Sequence, residues 1–153
     1  MSVFRKLLSL CVAVLCVMSF TACSQSGSSA SFFPTDYGFS VQLPESVQEN
    51  IRYDLSNREV GDETINTINV VYEGETGEAN ILTFEEMSSA MWEQMQSEGG
   101  PLPTELGASE DGRVVVMYPL QSNPYEAGTA DADAVDQFVS ESSIVTESFQ
   151  FLQ

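Results

Sequence analysis

From Tyr37 to Pro44 the chain reads YGFSVQLP. Phe39, Val41 and Leu43 alternate with Ser40 and Gln42, the period of a half-buried strand, and Pro44 stops it. Glu45 to Asn50 reads as a turn or short helix, and IRYDLS (Ile51 to Ser56) as a second strand with Ile51, Tyr53 and Leu55 on one face. TINTINVVYEG, with Ile65, Val70 and Tyr72 among its strand formers, and ANILTFEEM flank the turn sequence EGETGE and predict a hairpin. SSAMWEQMQSEGG changes to helical spacing: Ser88 or Ser89 can cap, Met91, Trp92 and Met95 share a face, and Gly99-Gly100-Pro101 ends the run. PTELGAS and GRVVVMYPLQ, on either side of the turn residues Glu110 to Gly112, predict a second hairpin. Beyond the loop SNPYEAGTADAD, the residues Val135, Phe138, Val139, Ser142, Val145 and Phe149 recur at spacings of three and four, one stripe of a single amphipathic helix. The expectation is an α+β fold: an antiparallel β-sheet with an internal helix and a C-terminal amphipathic helix packed on it.

The first twenty-two residues follow a different pattern. Arg5 and Lys6 precede an uncharged apolar run, Leu7 to Ala22, that ends in small residues, the layout of a secretory signal. A hydrocarbon core of about 30 Å needs about 20 apolar residues, so this run is short for a permanent span and suited to an h-region. FTAC, Phe20 to Cys23, resembles the lipobox of bacterial lipoproteins, which implies cleavage after Ala22 and a lipid-bearing thioether on Cys23. Cysteine arithmetic agrees: Cys11 and Cys16 leave with the signal, so the mature chain holds one cysteine and no internal disulfide. Two or more acyl chains then anchor the protein stably. SQSGSSAS, Ser24 to Ser31, reads as a flexible tether. Residues 1–22 are thus expected to be the signal, 23–31 the lipidated cysteine and tether, and 32–153 one globular domain. At 153 residues and 42% hydrophobic content the chain has the material for one core.

Charge narrows the partners. After Cys23 there is no lysine, and three arginines (Arg52, Arg58, Arg113) stand against 23 carboxylates, a net charge of −20. Such a surface repels nucleic-acid phosphates and anionic head groups, so nucleic acid is excluded and the membrane is met through the lipid on Cys23 alone. The expected localisation is the outer side of the cell membrane, as a monomer. Crowding this charge on folding is expected to raise carboxylate pKa values, and with them the melting temperature between pH 7 and about 5.

The residue types also limit the chemistry. The chain has no histidine, and with lysine and unmodified cysteine gone from the mature part, nucleophile-base dyads and triads, Schiff-base chemistry and His-ligated zinc are removed. What survives is carboxylate chemistry, a glycosidase-type pair or a hard-cation site. TADADAVD, with Asp131, Asp133 and Asp136, lacks the ligand spacing of a calcium loop, and Asp131 and Asp133 fall where a helix N-terminus favours negative charge. Glu85-Glu86 and Glu110-Asp111 read as solvated turn and helix-start residues. No metal site and no cofactor are expected. Three aromatic residues are candidate ligand contacts: Trp92, with Met87, Met91 and Met95 around it, and Tyr118 and Tyr125 in and beside the loop carrying Pro119 and Pro124. For each the alternative is packing against the sheet.

The element order, with YGFSVQLP opening the domain and SIVTESFQF closing it, resembles the PsbP-like α/β domains of small bacterial lipoproteins from about Asp36 to Leu152. The resemblance implies an antiparallel sheet with helices on it and no common catalytic set. The expected function is non-enzymatic: a lipid-anchored domain that binds an extracytoplasmic protein or cell-wall component. The alternatives are a carboxylate-based hydrolase acting on carbohydrate, or a cation-binding domain.

Overall fold

The computed structural model describes residues 37–152; the signal, Cys23 and the serine-rich tether lie outside the described residues. Its elements run β1 (Phe39–Ser40), a 3₁₀ helix (Glu45–Asn50), β2 (Ile51–Val60), β3 (Glu63–Gly74), β4 (Gly77–Ser88), α1 (Ser89–Glu98), β5 (Thr104–Ala108), β6 (Arg113–Pro119), α2 (Ala130–Glu141), α3 (Ser143–Ser148) and β7 (Gln150–Phe151). Five strands form one antiparallel sheet in the order β2-β3-β4-β6-β5, and β1 pairs with β7 as a separate two-stranded ladder. The fold is α+β.

Strand alternation buries both faces of the sheet. On one face Ile68, Val70, Tyr72, Leu82, Phe84, Val115 and Met117 meet Phe39, Val41, Leu43 and Val47 of the N-terminal segment and Val135, Phe138 and Val145 of the C-terminal helices. On the other, Ile65, Met87, Val114 and Val116 receive Trp92 from α1. A register shift between Val70 and Val71 breaks the alternation in β4, and the bulge lets the consecutive residues Ile81 and Leu82 both enter the first core. Each such buried side chain contributes about 1.5–3 kcal/mol, against about 0–1 kcal/mol for an exposed ion pair, so this fold is held by its two cores rather than by its charges.

Helix α1 starts where the sequence expects: Ser88 accepts from the N–H of Met91 at 3.1 Å, and Gly99, at φ 68°, ends it. Three features depart from the expectation. The strand starting at Ile51 does not stop at Ser56 but reaches Val60, and residues 54–59, Leu55 among them, are exposed. The C-terminal helix begins at Ala130, breaks at Ser142 into two shorter helices, and leaves Val139 46% exposed, off the stripe that the spacing assigns it. Phe149 follows the last helix and leads into β7, where Phe151 pairs with Phe39. The stripe continues past Ser142 because Phe149 is drawn to the rings of Phe39 and Phe151, at 5.6 and 5.1 Å, rather than because the helix does.

Candidate functional site

The most heavily bonded group lies where α2 meets the β3–β4 turn. Thr129 caps α2 by accepting from the Ala132 N–H at 3.2 Å, so the helix start needs no carboxylate for its cap. Asp131 is instead 3% exposed and turned into the hairpin. It accepts from the backbone N–H groups of Glu75 and Thr76, both at 3.1 Å, from the Thr76 hydroxyl at 2.9 Å and from the Tyr72 hydroxyl at 3.4 Å. Burial pushes this carboxyl up, but the donors outweigh it and hold its pKa below the ordinary value. A Cβ on Gly74 would lie 2.7 Å from the carboxyl carbon, so only glycine lets the acid in. Helix-start electrostatics is therefore an incomplete account of Asp131, which is a tertiary clasp.

Tyr125 belongs to the same clasp. Its hydroxyl donates to the Gly77 carbonyl at 2.8 Å, and its ring meets Tyr72 edge-on at 5.8 Å. Asn123 orders the approach, accepting from the Tyr125 N–H at 3.0 Å and donating to the Ala132 carbonyl at 2.9 Å. Burial and the nearby Asp131 raise the phenol pKa.

Tyr118 sits on the opposite face of the sheet. Its hydroxyl donates to Glu85 at 3.1 Å, and Arg58 approaches the same carboxylate at 3.3 Å. Desolvation and the Glu85 charge push the Tyr118 pKa up to about 12. Glu85 is buried and Glu86 pairs with Arg113 at 3.5 Å, so these two are ladder residues tied to partners, not a solvated pair. Asp111, by contrast, is a turn residue as expected. It accepts from Ser109 and from Arg113, which hold its pKa low. Trp92 is buried, and its indole N–H donates to Glu105 at 2.8 Å. The structure thus divides the three aromatic candidates between the two faces: Trp92 is buried in the second core with Tyr118 packed against it, and Tyr125 lies on the other face at the hairpin clasp.

The concavities are shallow. One of ≈ 270 Å³ lies between the 3₁₀ helix and the C-terminal helices, with Glu45 and Glu141 among its lining and Leu43 and Ile144 beside them. Another, of ≈ 280 Å³, runs along Asn80, Thr83, Tyr118 and Leu120. Two more are of ≈ 320 Å³ beside Gly99 and Leu102 and ≈ 330 Å³ along Glu45, Glu49 and Asn50, and these four lie at the lower edge of the range of about 300–1,000 Å³ in which small-molecule sites are found. Among the described residues no three acidic, histidine or cysteine side chains converge on a metal position, and no helix is long and apolar enough to cross a membrane. Among the described residues all three arginines are engaged by carboxylates: Arg52 by Asp54, Glu73 and Glu78, Arg58 by Glu85, and Arg113 by Glu86 and Asp111.

No protein-family model, curated protein or solved structure matches this chain.

Proposed function

We propose that the chain is a lipid-anchored extracytoplasmic domain with a non-catalytic binding role at the cell surface, joined to the membrane through Cys23 and facing a protein or cell-wall component. The observation that carries the binding half is how the reactive groups are used. Three of the groups with shifted pKa values, Asp131, Tyr118 and Tyr125, spend their polar atoms on the hairpin clasp and the β4–β6 ladder. Poised catalytic groups would face a cleft instead. The anchoring half rests on the FTAC sequence and the single remaining cysteine. A surface this acidic is suited to basic partners and opposed to nucleic acid.

Metabolic labelling with a fatty acid tests the anchor. The wild-type chain is expected to take up label and fractionate with membranes, while Cys23→Ser loses the label and is released or stays unprocessed; an unlabelled wild-type chain overturns it. The hydrolase alternative has one observation in its favour, Glu45 and Glu141 on the same ≈ 270 Å³ cleft. It requires an oligosaccharide-cleaving activity that Glu45→Gln and Glu141→Gln each abolish.

A further inference from the structure

The two edges of the five-stranded sheet are built differently. β5 is five residues long, its pairing with β6 is bulged between Glu105 and Gly107, and Gly107 lies under the Phe149 ring. Short, bulged and covered edges are the devices that keep foreign strands away. Among the described residues β2 has none of these three, and only its charged side chains, Arg52, Asp54, Arg58 and Glu59, restrict which strand it can accept. It runs for ten residues, pairs with β3 without a register shift from Ile51↔Tyr72 to Val60↔Glu63, and contains no proline, glycine or lysine. Among the described residues only β3 pairs with it, and residues 54–59 are exposed on both faces.

The charges along this edge select the occupant. Its two cations face carboxylates of the chain's own sheet: Arg52 lies 2.8 Å from Glu78, 3.3 Å from Asp54 and 3.7 Å from Glu73, and Arg58 lies 3.3 Å from Glu85. One guanidinium among three carboxylates leaves negative charge in excess, and Glu49, Glu59 and Asp62 add more exposed carboxylates beside the strand. A second copy of the chain would bring the same charge and be repelled. An apolar peptide would find little beyond Leu55, which is 49% exposed.

We propose that the outer edge of β2, along residues 54–59, accepts an extended, lysine- or arginine-rich segment of an extracytoplasmic protein as an added sheet strand. This rests on the reading of the chain as a binding domain. Backbone hydrogen bonds supply the ladder, and basic side chains on the face of Asp54 meet the excess carboxylates.

The test uses the ¹⁵N-labelled full chain in detergent and a synthetic peptide of alternating lysine and threonine, about eight residues long, enough to run beside the exposed stretch. Two controls are the same peptide with alternate amides N-methylated and its glutamate-for-lysine counterpart. Expected are amide shifts centred on β2 and β3 and binding that weakens with salt. Affinity should fall about tenfold or more on N-methylation, because several ladder bonds are lost together. It should fall severalfold in the surface double variant Asp54→Asn, Glu78→Gln, whose carboxylates share the Arg52 face, and be undetectable for the glutamate peptide. Equal binding of the N-methylated peptide, shifts elsewhere, no binding, or a dimer with protected β2 amides each overturn the proposal. The N-methylated control leaves the protein unaltered, so the outcome does not depend on the variant folding. A chain that takes up fatty-acid label yet fails these criteria loses the edge site and keeps its anchor; an unlabelled chain that meets them loses the anchor and keeps the edge site.

Discussion

The Asp131 carboxylate accepts from two backbone N–H groups and two hydroxyls, and its replacement shows what such a clasp is worth to the fold. Asp131→Asn keeps one acceptor but turns an NH₂ toward the donors; Asp131→Ala leaves them all without an acceptor. Both are expected to lower the melting temperature at neutral pH, alanine more. The sign with pH follows from the lowered folded pKa: the contribution is present above the unfolded value of about 3.9 and is lost as pH falls through the folded one. Thermal unfolding followed by circular dichroism should show wild type and variants converging below about pH 4. Tyr118 works in the opposite sense. Its folded pKa of about 12 lies above the ordinary tyrosine value of 10.0, so its contribution is intact below the unfolded value and disappears as pH climbs through the folded one. Its phenolate absorbance should appear late in an alkaline titration, and Tyr118→Phe should reduce that late component by one tyrosine, leaving the share of Tyr53, Tyr72 and Tyr125. A late component undiminished in the phenylalanine variant belongs to the other tyrosines.

At the level of elements, the broken C-terminal helix gives a direct comparison between two valines four residues apart. Val135 is fully buried and Val139 is 46% exposed. Val135→Ala is expected to cost about 1–3 kcal/mol in urea unfolding and Val139→Ala less than about 0.5 kcal/mol, whereas an unbroken stripe would make the two similar. The elements that rest on local signals were legible in the chain: the hairpin around EGETGE, the one around EDG, the capped start of α1 and the 3₁₀ segment after Pro44. What was not legible depends on distant partners. β2 continues to Val60 because β3 offers it a ladder, since its own outer residues alternate no apolar positions. β7 exists because Phe151 finds Phe39, and nothing within SFQF announces that. Asp131 reads as a helix-start acid until the β3–β4 turn lies above it. The candidate aromatics divide in the same way. Trp92 packs at the helical spacing that suggested a buried face, while the bonds of Tyr118 and Tyr125 run to Glu85 and to Gly77, far away in the chain.

For the whole molecule the main term is self-repulsion among the acidic groups. Arg52 and Arg113 each face more than one carboxylate, and most acidic residues remain in solvent. Raising salt from about 10 to 300 mM shortens the Debye length from about 30 Å to under 8 Å, so the melting temperature at pH 7 is expected to rise. A melting temperature that ignores salt would mean that the carboxylates are individually compensated. The two carboxylates with clear shifts, Asp131 and Asp111, move down rather than up, because each is surrounded by donors. Their contribution is lost only below about pH 4, outside the window from pH 7 to about 5 in which the crowded carboxylates are expected to raise the melting temperature. The β1–β7 ladder adds a consequence in time rather than in energy. Phe39 closes against Phe151, and Arg113 stacks over Phe151 while donating to the Tyr37 carbonyl. The first core thus takes residues from both ends of the ordered chain, and loop closure of that length is slow. A chain still emerging from the ribosome has Phe39, Val41 and Leu43 in hand but neither the helices nor the strand that cover them. The first core therefore cannot close until Phe151 is available to Phe39.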